Sequence, residues 1–414
     1  MKSEWTTRSI SDIAEINPRE SISKGSIAKK IPMDVLQPFT RDVPGYQMEK
    51  FKGGTKFRNM DTIMARITPC LENGKTAQVR CLDNGEVGFG STEYIVFRAK
   101  EGIDPDYLYY LICSPLVRDP AIKSMVGSSG RQRVQTDVVA NLQIAVPDFD
   151  EQKNIGGLLK AFDDKIQLNT AINKNLEQQA VVLFRSWFSV FSLSPNSPRV
   201  NSEFGEIPED FAVVKVGSLP MLVTDYVANG SFASLKANVN LYQEPNYAYF
   251  IRNTDLKSGS FGVFVDQHSY EFLSKSTLYG GEIIISNVGD VGSVFLCPKL
   301  DGRMTLGNNI IMLRPEDDHL RYYLYIWFKY FQGQALIQGI KGGSAQPKFN
   351  KTDFKNTSVL IPPKDILTRF HETVAPMFET ISQRQAETSR LADLRDTLLP
   401  QLMSGEIDVS NLDL

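Results

Sequence analysis

Residues 151–190, EQKNIGGLLKAFDDKIQLNTAINKNLEQQAVVLFRSWFSV, decide how this chain is built, and residues 366–405, ILTRFHETVAPMFETISQRQAETSRLADLRDTLLPQLMSG, repeat their pattern. In both stretches apolar side chains recur at steps of four and three residues, which is typical of the a/d seam of a coiled coil. Equivalent positions keep a constant offset, since Ile155 corresponds to Phe370 and Trp187 to Leu402. At 1.5 Å per residue, each predicted helix is about 60 Å long.

Both predicted seams turn polar at the same two middle positions, Asn169 and Asn173 in the first helix and Arg384 and Thr388 in the second. A buried polar layer costs stability but fixes register, so the shared pattern predicts that the two helices pair with each other. The alternative is two unrelated amphipathic helices on separate cores. The predicted seam comprises Ile155, Leu159, Phe162, Ile166, Asn169, Asn173, Leu176, Ala180, Leu183 and Trp187, together with Phe370, Val374, Met377, Ile381, Arg384, Thr388, Leu391, Arg395, Leu398 and Leu402.

The ends and the interior of these helices carry further signals. A side-chain oxygen of Asp148 or Asp150 can cap the first helix and that of Asp365 the second, because it accepts free amide groups of the first turn. Pro376 falls inside the second helix and removes a backbone donor, which predicts a kink or break near 372–375.

The repeat extends to the residues that precede each helix. Arg98 and Arg314 belong to a series of matching positions that are separated by a constant number of residues. Trp5 and Phe211 are separated by a smaller number, so insertions distinguish the two copies near their starts. A period of this length indicates a domain duplication and not a solenoid of short repeats. The copies are expected to share a scaffold and to differ in their early loops.

Each copy has short β-type runs followed by a helical run: 62–67 and 93–98 precede 106–112, and 282–288 and 309–314 precede 322–328. Both copies are therefore expected to be mixed α/β domains. The predicted organisation is a first domain at 1–146, a long helix at 147–191, a surface linker at 192–210, a second domain at 211–361, a long helix at 362–404 and a tail at 405–414.

Composition limits the classes of protein that fit. With 414 residues, of which 42% are hydrophobic, the chain can form two to three globular units. A net charge of −3 differs from the positive charge expected of a protein that binds DNA without partners. In any complex with DNA, partner proteins would therefore supply many of the contacts with phosphate groups. The sequence has no apolar run long enough for a membrane span, and its start lacks the apolar core of a secretory signal, so we expect a cytoplasmic protein.

Catalytic motifs are not found in the sequence. The segment ENGKT (72–76) resembles part of a P-loop, but Pro69 stands where that motif needs glycine, so we interpret it as a hairpin turn. The carboxylates of PDFDEQK (147–153) lie at a predicted helix start, which favours capping over a nuclease metal site. Four cysteines and three histidines are scattered. We therefore predict no catalytic residue, metal site or cofactor in this chain.

The duplicated plan, the entry P-x-x-x-E-Q-K to the first helix (147–153) and the ending LADLRDTLLPQLMSGEIDV (391–409) resemble the specificity (S) subunit of type I restriction-modification systems. The resemblance covers the whole chain. It implies an α+β fold in which two mixed α/β target-recognition domains are joined by two long helices that form an antiparallel coiled coil, with a pseudo-twofold internal repeat.

The resemblance also implies a function. Each recognition domain would bind one half of a bipartite double-stranded DNA target, while the coiled coil sets the gap and docks two methyltransferase (M) subunits; restriction (R) subunits complete the complex. The chain itself would be non-catalytic, with S-adenosylmethionine, ATP and Mg²⁺ bound only by partner subunits. Two alternatives remain: a coiled-coil adaptor with paired protein-binding domains, or the recognition module of a stand-alone restriction or methylation enzyme.

Base edges are read by Arg, Lys, Asn and Gln side chains, and loops that carry them next to glycine are the best candidates for DNA contacts. The two glycine-rich loops occupy equivalent places in the repeat, although they could also be solvated turns without a special role. Tyr107, Tyr109, Tyr323 and Tyr325 are interpreted as helix core and not as base-stacking platforms. The candidates are Arg66, Lys75, Ser128, Ser129, Arg131, Gln132 and Arg133 in the first copy, and Asn287, Arg303, Asn308, Asn309, Lys341, Ser344, Gln346 and Lys348 in the second.

Overall fold

The computed structural model describes residues 5–128, 130–343 and 346–409, and its contacts divide the chain into two units. Unit 1 combines residues up to 168 with those from 390 onward, and unit 2 spans 169–389. Each unit thus holds one globular domain and one part of each long helix. This division follows from helices that run in opposite directions, because the start of one then lies beside the end of the other.

Unit 1 contains two four-stranded sheets and a cluster of helices. One sheet is antiparallel with the order β2-β9-β6-β7; the other has the order β4-β3-β8-β5, in which β3 and β8 are parallel, and β1 pairs with β10. The elements are β1 (Thr6–Ser9), α1 (Ile10–Ile13), β2 (Ala14–Ile16), β3 (Ile27–Ile31), β4 (Gln47–Lys50), β5 (Thr55–Phe57), β6 (Thr62–Ala65), β7 (Thr76–Gln78), β8 (Gly88–Gly90), β9 (Tyr94–Ala99), α2 (Pro105–Cys113), α3 (Pro115–Lys123), α4 (Thr136–Ala140), β10 (Gln143–Val146) and α5 (Phe149–Phe188), the last of which continues into unit 2.

Unit 2 repeats this topology with insertions. Its antiparallel sheet has the order β14-β22-β19-β20, its second sheet has the order β15-β17-β16-β21-β18 with β16 and β21 parallel, and β13 pairs with β23. The elements are β11 (Arg199–Ser202), β12 (Gly205–Pro208), β13 (Ala212–Lys215), β14 (Met221–Asp225), α6 (Phe232–Asn238), β15 (Leu241–Tyr242), β16 (Ala248–Ile251), α7 (Asn253–Ser258), β17 (Phe264–Val265), α8 (Gln267–Phe272), β18 (Thr277–Leu278), β19 (Ile283–Ser286), β20 (Val294–Leu296), β21 (Arg303–Leu306), β22 (Ile310–Pro315), α9 (His319–Tyr330), α10 (Gln332–Gly339), α11 (Lys351–Lys355), β23 (Ser358–Ile361) and α12 (Lys364–Met403), with 3-10 turns at Val216–Ser218, Tyr226–Asn229 and Ser274–Ser276.

The two copies also share a polar pair within the antiparallel sheet. Arg98 pairs with Asp61 at 2.7 Å in unit 1, and Arg314 pairs with Glu282 at 2.9 Å in unit 2. Each carboxylate is buried, with 1% exposure at Asp61 and 3% at Glu282. A buried carboxylate needs such a partner, so the pair belongs to the scaffold that the copies keep.

Helices α2 and α9 form the centre of each core. Their tyrosines at 107, 109, 323 and 325 are all at most 5% exposed, which confirms that they are core residues. In unit 1 the start of α5 and the end of α12 join this core through Ile155 and Leu402. In unit 2 the end of α5 packs against the start of α12, where the rings of Phe188 and Phe370 lie 5.0 Å apart. Within each unit the helix segments are therefore antiparallel.

The predicted seam positions lie toward the interior of the units. Several of the half-buried positions, among them Leu183, Trp187 and Leu398, pack against the domain cores. Fully buried are Ile155, Leu159, Asn169, Ala180, Phe370, Val374, Arg395 and Leu402, whereas Phe162, Ile166, Asn173, Leu176, Leu183, Trp187, Met377, Ile381, Arg384, Thr388, Leu391 and Leu398 are half-buried.

Several local expectations can be compared with the structure. Helix α12 passes Pro376 without interruption, so the expected break is absent; this proline is exposed, and water can satisfy the carbonyl group that loses its partner. Asp148 caps α5, because its Oδ1 accepts the Glu151 N–H at 2.9 Å. Asp365 lies inside the first turn of α12 and not before it.

The segment predicted as a surface linker, 192–210, contains the hairpin β11-β12. Its Ile207 is 3% exposed and belongs to the core of unit 2, which explains why these polar and proline-rich residues are ordered. None of the helices in the described residues is both long enough and apolar enough to span a membrane.

Candidate nucleic-acid interface

Both glycine-rich loops form short hairpins. In unit 1 the backbone of Arg133 donates to Val126 O at 2.9 Å and accepts from Val126 N at 3.1 Å. In unit 2 Lys348 and Gly342 exchange the same two bonds, both at 2.9 Å. The backbone bonds that close the two loops are therefore equivalent, although the first loop is one residue longer.

Each hairpin is fastened to the strand in the middle of the antiparallel sheet. Just beyond β6, Ile67 forms a bridge with Arg133, and just beyond β19, Val288 forms a bridge with Lys348. The residues just before these two, Arg66 and Asn287, use their backbone carbonyl oxygens to accept the N–H groups of Val134 and Phe349, which follow the two hairpins. We call the hairpin and the strand end to which it is fastened the hairpin corner of each unit: residues 66–67 with 126–128 and 130–133, and residues 287–288 with 342–343 and 346–348.

Three predicted DNA-contact residues have side chains that bond within their own domain. Arg66 Nη2 donates to Val134 O and Asn287 Nδ2 donates to Phe349 O, both at 3.3 Å, and the two bonds are equivalent. Lys75 Nζ donates to the backbone O of residue 33 at 2.9 Å. All three side chains are half-buried, so they stabilise the loops near them.

Arg133 is held by an acidic residue that the sequence analysis missed. Glu93 precedes β9, and its Oε1 lies 2.6 Å from Arg133 Nη2, while its Oε2 lies 3.0 Å from Arg133 Nε. The hydrogen bond from Arg133 holds the pKa of the Glu93 carboxyl below its ordinary value. A signal for Glu93 was present, since it stands beside the strand and at the position that corresponds to Asn309.

Glu93 and Asn309 are equivalent in the structure. Arg66 N donates to Glu93 O at 2.9 Å, and Asn287 N donates to Asn309 O at 3.1 Å. Asn309 is exposed and has a φ of +64°, a left-handed conformation that asparagine tolerates better than most residues. Where unit 1 has Glu93 beside Arg133, unit 2 has Asn309 and the exposed Lys348 at the matching places.

The other candidates are divided between the corners and the surface elsewhere. Arg131 is exposed, and its guanidinium pairs with no side chain among the described residues. Arg303 lies on β21 in the other sheet, stacked 4.6 Å from the centre of the Tyr247 ring. Lys341 Nζ donates to Gln338 Oε1 at 2.9 Å. Ser128, Asn308 and Gln346 are exposed, Gln132 is half-buried, and Ser129 and Ser344 lie outside the described residues.

The hairpin corners present different polar side chains on backbones that make matching hydrogen bonds. Unit 1 offers Arg131, Arg133 and Glu93, and unit 2 offers Gln346, Lys348 and Asn309 at the matching places. These are donors and acceptors of the kind that contact base edges. The fold and these corners define a duplicated recognition protein.

Comparison with known proteins identifies the family. A family profile described as the type I restriction modification DNA specificity domain matches residues 2–178 and 208–387. The chain therefore belongs to the type I restriction-modification DNA specificity family and carries two copies of its domain. This confirms the family and the fold class predicted from the sequence.

Individual relatives agree with this assignment. The HindI specificity subunit of Haemophilus influenzae is 25% identical over 429 aligned positions, which cover 89% of both chains. The MjaIX specificity subunit of Methanocaldococcus jannaschii is 28% identical over 323 positions, which cover 76% of this chain and 71% of the relative. The crystal structure of an S subunit from M. genitalium shares the fold, with a TM-score of 0.54 and 15% identity over 97% of this chain and 96% of that one.

Proposed function

We propose that this chain is the non-catalytic subunit that selects the DNA sequence in a type I restriction-modification complex, and that each unit binds one half of a bipartite target. The observation that carries this proposal is the pair of hairpin corners, which make matching backbone hydrogen bonds and carry different side chains. A shared scaffold with exchanged side chains is what two readers of different half-sites require.

The long helices are proposed to set the gap between the two half-sites. Two buried polar layers support a fixed register. In unit 2 Asn169 is fully buried; its Oδ1 accepts from Arg384 Nη1 and its Nδ2 donates to Glu387 Oε2, both at 2.8 Å. In unit 1 Asp163 pairs with Arg395, and both are less than 10% exposed. A slipped register would leave these polar groups buried without partners. A seam made only of apolar side chains would tolerate such a slip.

Partner subunits complete this function. We propose that two methyltransferase subunits dock on the helix pair, that restriction subunits join them, and that these partners bind S-adenosylmethionine, ATP and Mg²⁺. The chain's net charge of −3 supports this division, because phosphate contacts dominate DNA affinity and the partners would supply many of them.

The test is to assemble the chain with its cognate methyltransferase subunit and to map the methylated sites on random DNA. The expected result is a bipartite motif with a constant gap. Replacing both Arg131 and Arg133 is expected to weaken binding of the first half-site, while Lys348→Ala is expected to affect only the second. A complex that forms but methylates no sequence preferentially would contradict the proposal and favour the adaptor alternative.

A further inference from the structure

Arg133 sits on a backbone that is held from both sides. It bridges Val126 across the hairpin and Ile67 beyond the central strand, and the adjacent Gln132 O accepts the Thr68 N–H at 3.0 Å. Its side chain nevertheless remains 46% exposed. Because the backbone is already fixed, a contact made by this side chain does not have to order the loop, which is the arrangement that recognition requires.

Glu93 then fixes the side chain itself. The carboxylate accepts from Nε at 3.1 and 3.0 Å and from Nη2 at 2.6 Å, so it occupies one edge of the guanidinium. Arginine has five N–H donors in a planar fork. The edge formed by Nη1 and the second N–H of Nη2 has no acceptor among the described residues, and this is an edge that can reach O6 and N7 of a guanine together.

Stability does not account for this pair. An exposed ion pair contributes about 0–1 kcal/mol, and here the arginine is nearly half exposed. Unit 2 keeps the backbone bonds of the corner but has Asn309 and Lys348 at these two places. Lysine carries a point charge on a flexible stem and has no planar fork. The scaffold is thus retained while the paired side chains are exchanged.

We infer that Glu93 is a positioning residue that holds the Arg133 guanidinium for a bidentate contact with one guanine of the first half-site, and that the change to Asn309 and Lys348 makes unit 2 read a different base at the corresponding step. The inference rests on the proposed function. It assigns specificity at one base pair to a pair of residues 40 positions apart in the chain.

The experiment measures base preference at each position of the first half-site, using the assembled methyltransferase complex and duplex libraries randomised one position at a time. Loss of one bidentate contact is expected to reduce discrimination by roughly 5- to 150-fold. Arg133→Ala should do so at a single position. Glu93→Gln should reduce preference at the same position by a smaller factor, and it should add nothing in the Arg133→Ala background.

Three further variants separate positioning from folding. Arg133→Lys keeps the charge but lacks the planar fork, so it should weaken the guanine preference while retaining most of the affinity. Glu49→Gln removes another half-exposed carboxylate, which pairs with Lys30 at 2.8 Å on a different strand pair, and should change no position. Lys348→Ala should change preferences only in the second half-site.

The inference is refuted if Glu93→Gln leaves every position unchanged, or if it weakens binding equally for all sequences, while the unaltered complex still selects its motif. If the unaltered complex shows no base preference at all, the proposed function fails first, and the inference fails with it.

Discussion

The buried pair Asp163–Arg395 allows a prediction whose magnitude follows from the structure. Asp163 is 6% exposed and Arg395 is 8% exposed, and the Tyr110 hydroxyl donates to the second carboxylate oxygen at 2.6 Å. Burial alone would lower the pKa of Arg395, but the carboxylates of Asp163 and Asp396 raise it above its ordinary value. The arginine is therefore charged, and its carboxylate partner depends on it.

Arg395→Met leaves the Asp163 carboxylate buried, with the Tyr110 hydroxyl as its only remaining partner among the described residues. Removing one member of a buried ion pair costs about 3–5 kcal/mol. For a unit of this size 1 kcal/mol corresponds to about 2–4 °C, so the melting temperature should fall by roughly 6–20 °C. Asp163→Leu with Arg395→Met removes both charges and leaves one buried hydroxyl unpaired, at a cost of about 1–3 kcal/mol. Adding Tyr110→Phe removes this hydroxyl as well, so the free energy of unfolding should return close to that of the original protein.

Urea and thermal unfolding of the original protein and of these three variants provide the assay, and the free energies of unfolding are compared step by step along the series. The reasoning is refuted if Arg395→Met costs less than about 1 kcal/mol, since the charge would then be solvated. It is also refuted if the variant lacking both charges is less stable than the variant lacking only the arginine.

Two smaller predictions concern unit 2. Burial, and then the neighbouring His319, lower the pKa of His371, so at mildly acidic pH the unfolded chain binds a proton that the folded chain does not. The free energy of unfolding should therefore fall as the pH drops below the ordinary histidine pKa, by at most about 1.4 kcal/mol per pH unit. In unfolding titrations His371→Gln should flatten this dependence, whereas His268→Gln, at an exposed histidine, should not. A Cβ at Gly333 would lie 2.4 Å from a tryptophan ring, whereas one at Gly339 in the same helix meets nothing within 4 Å. Gly333→Ala should therefore destabilise by about 1–3 kcal/mol and Gly339→Ala should not, with urea unfolding as the measure.

Local periodicity made the large features predictable. The apolar positions of α5 and α12 repeat with the helical period, and the β-type runs of the two copies recur in the same order, so the elements and the duplication follow from short-range patterns. The hairpin that replaces a bare linker was not predictable in this way. It depends on Ile207 joining a core whose other members include residues far along the chain, such as Tyr323 and Trp327.

The residues of the candidate site were harder to predict because their roles depend on distant partners. Arg66 and Arg133 look alike in the sequence. The first bonds to a backbone carbonyl, whereas the second is held by Glu93 and has one guanidinium edge that meets no acceptor among the described residues. Asp163 shows the same limit. The predicted seam included Phe162, which is half-buried, whereas Asp163 is buried because the domain helix that carries Tyr110 packs on that side of α5.

The measurement that tests the central claim most directly is the gap of the methylated motif after the helix pair is lengthened. One heptad is inserted between residues 168 and 169 and another between 389 and 390, where the two units meet along the chain, so each unit remains intact. Seven residues add about 10.5 Å, or about three base pairs at 3.4 Å each. The same half-sites separated by a longer gap are the predicted result. An unchanged gap with both half-sites still methylated would contradict the role of the helices as the spacer.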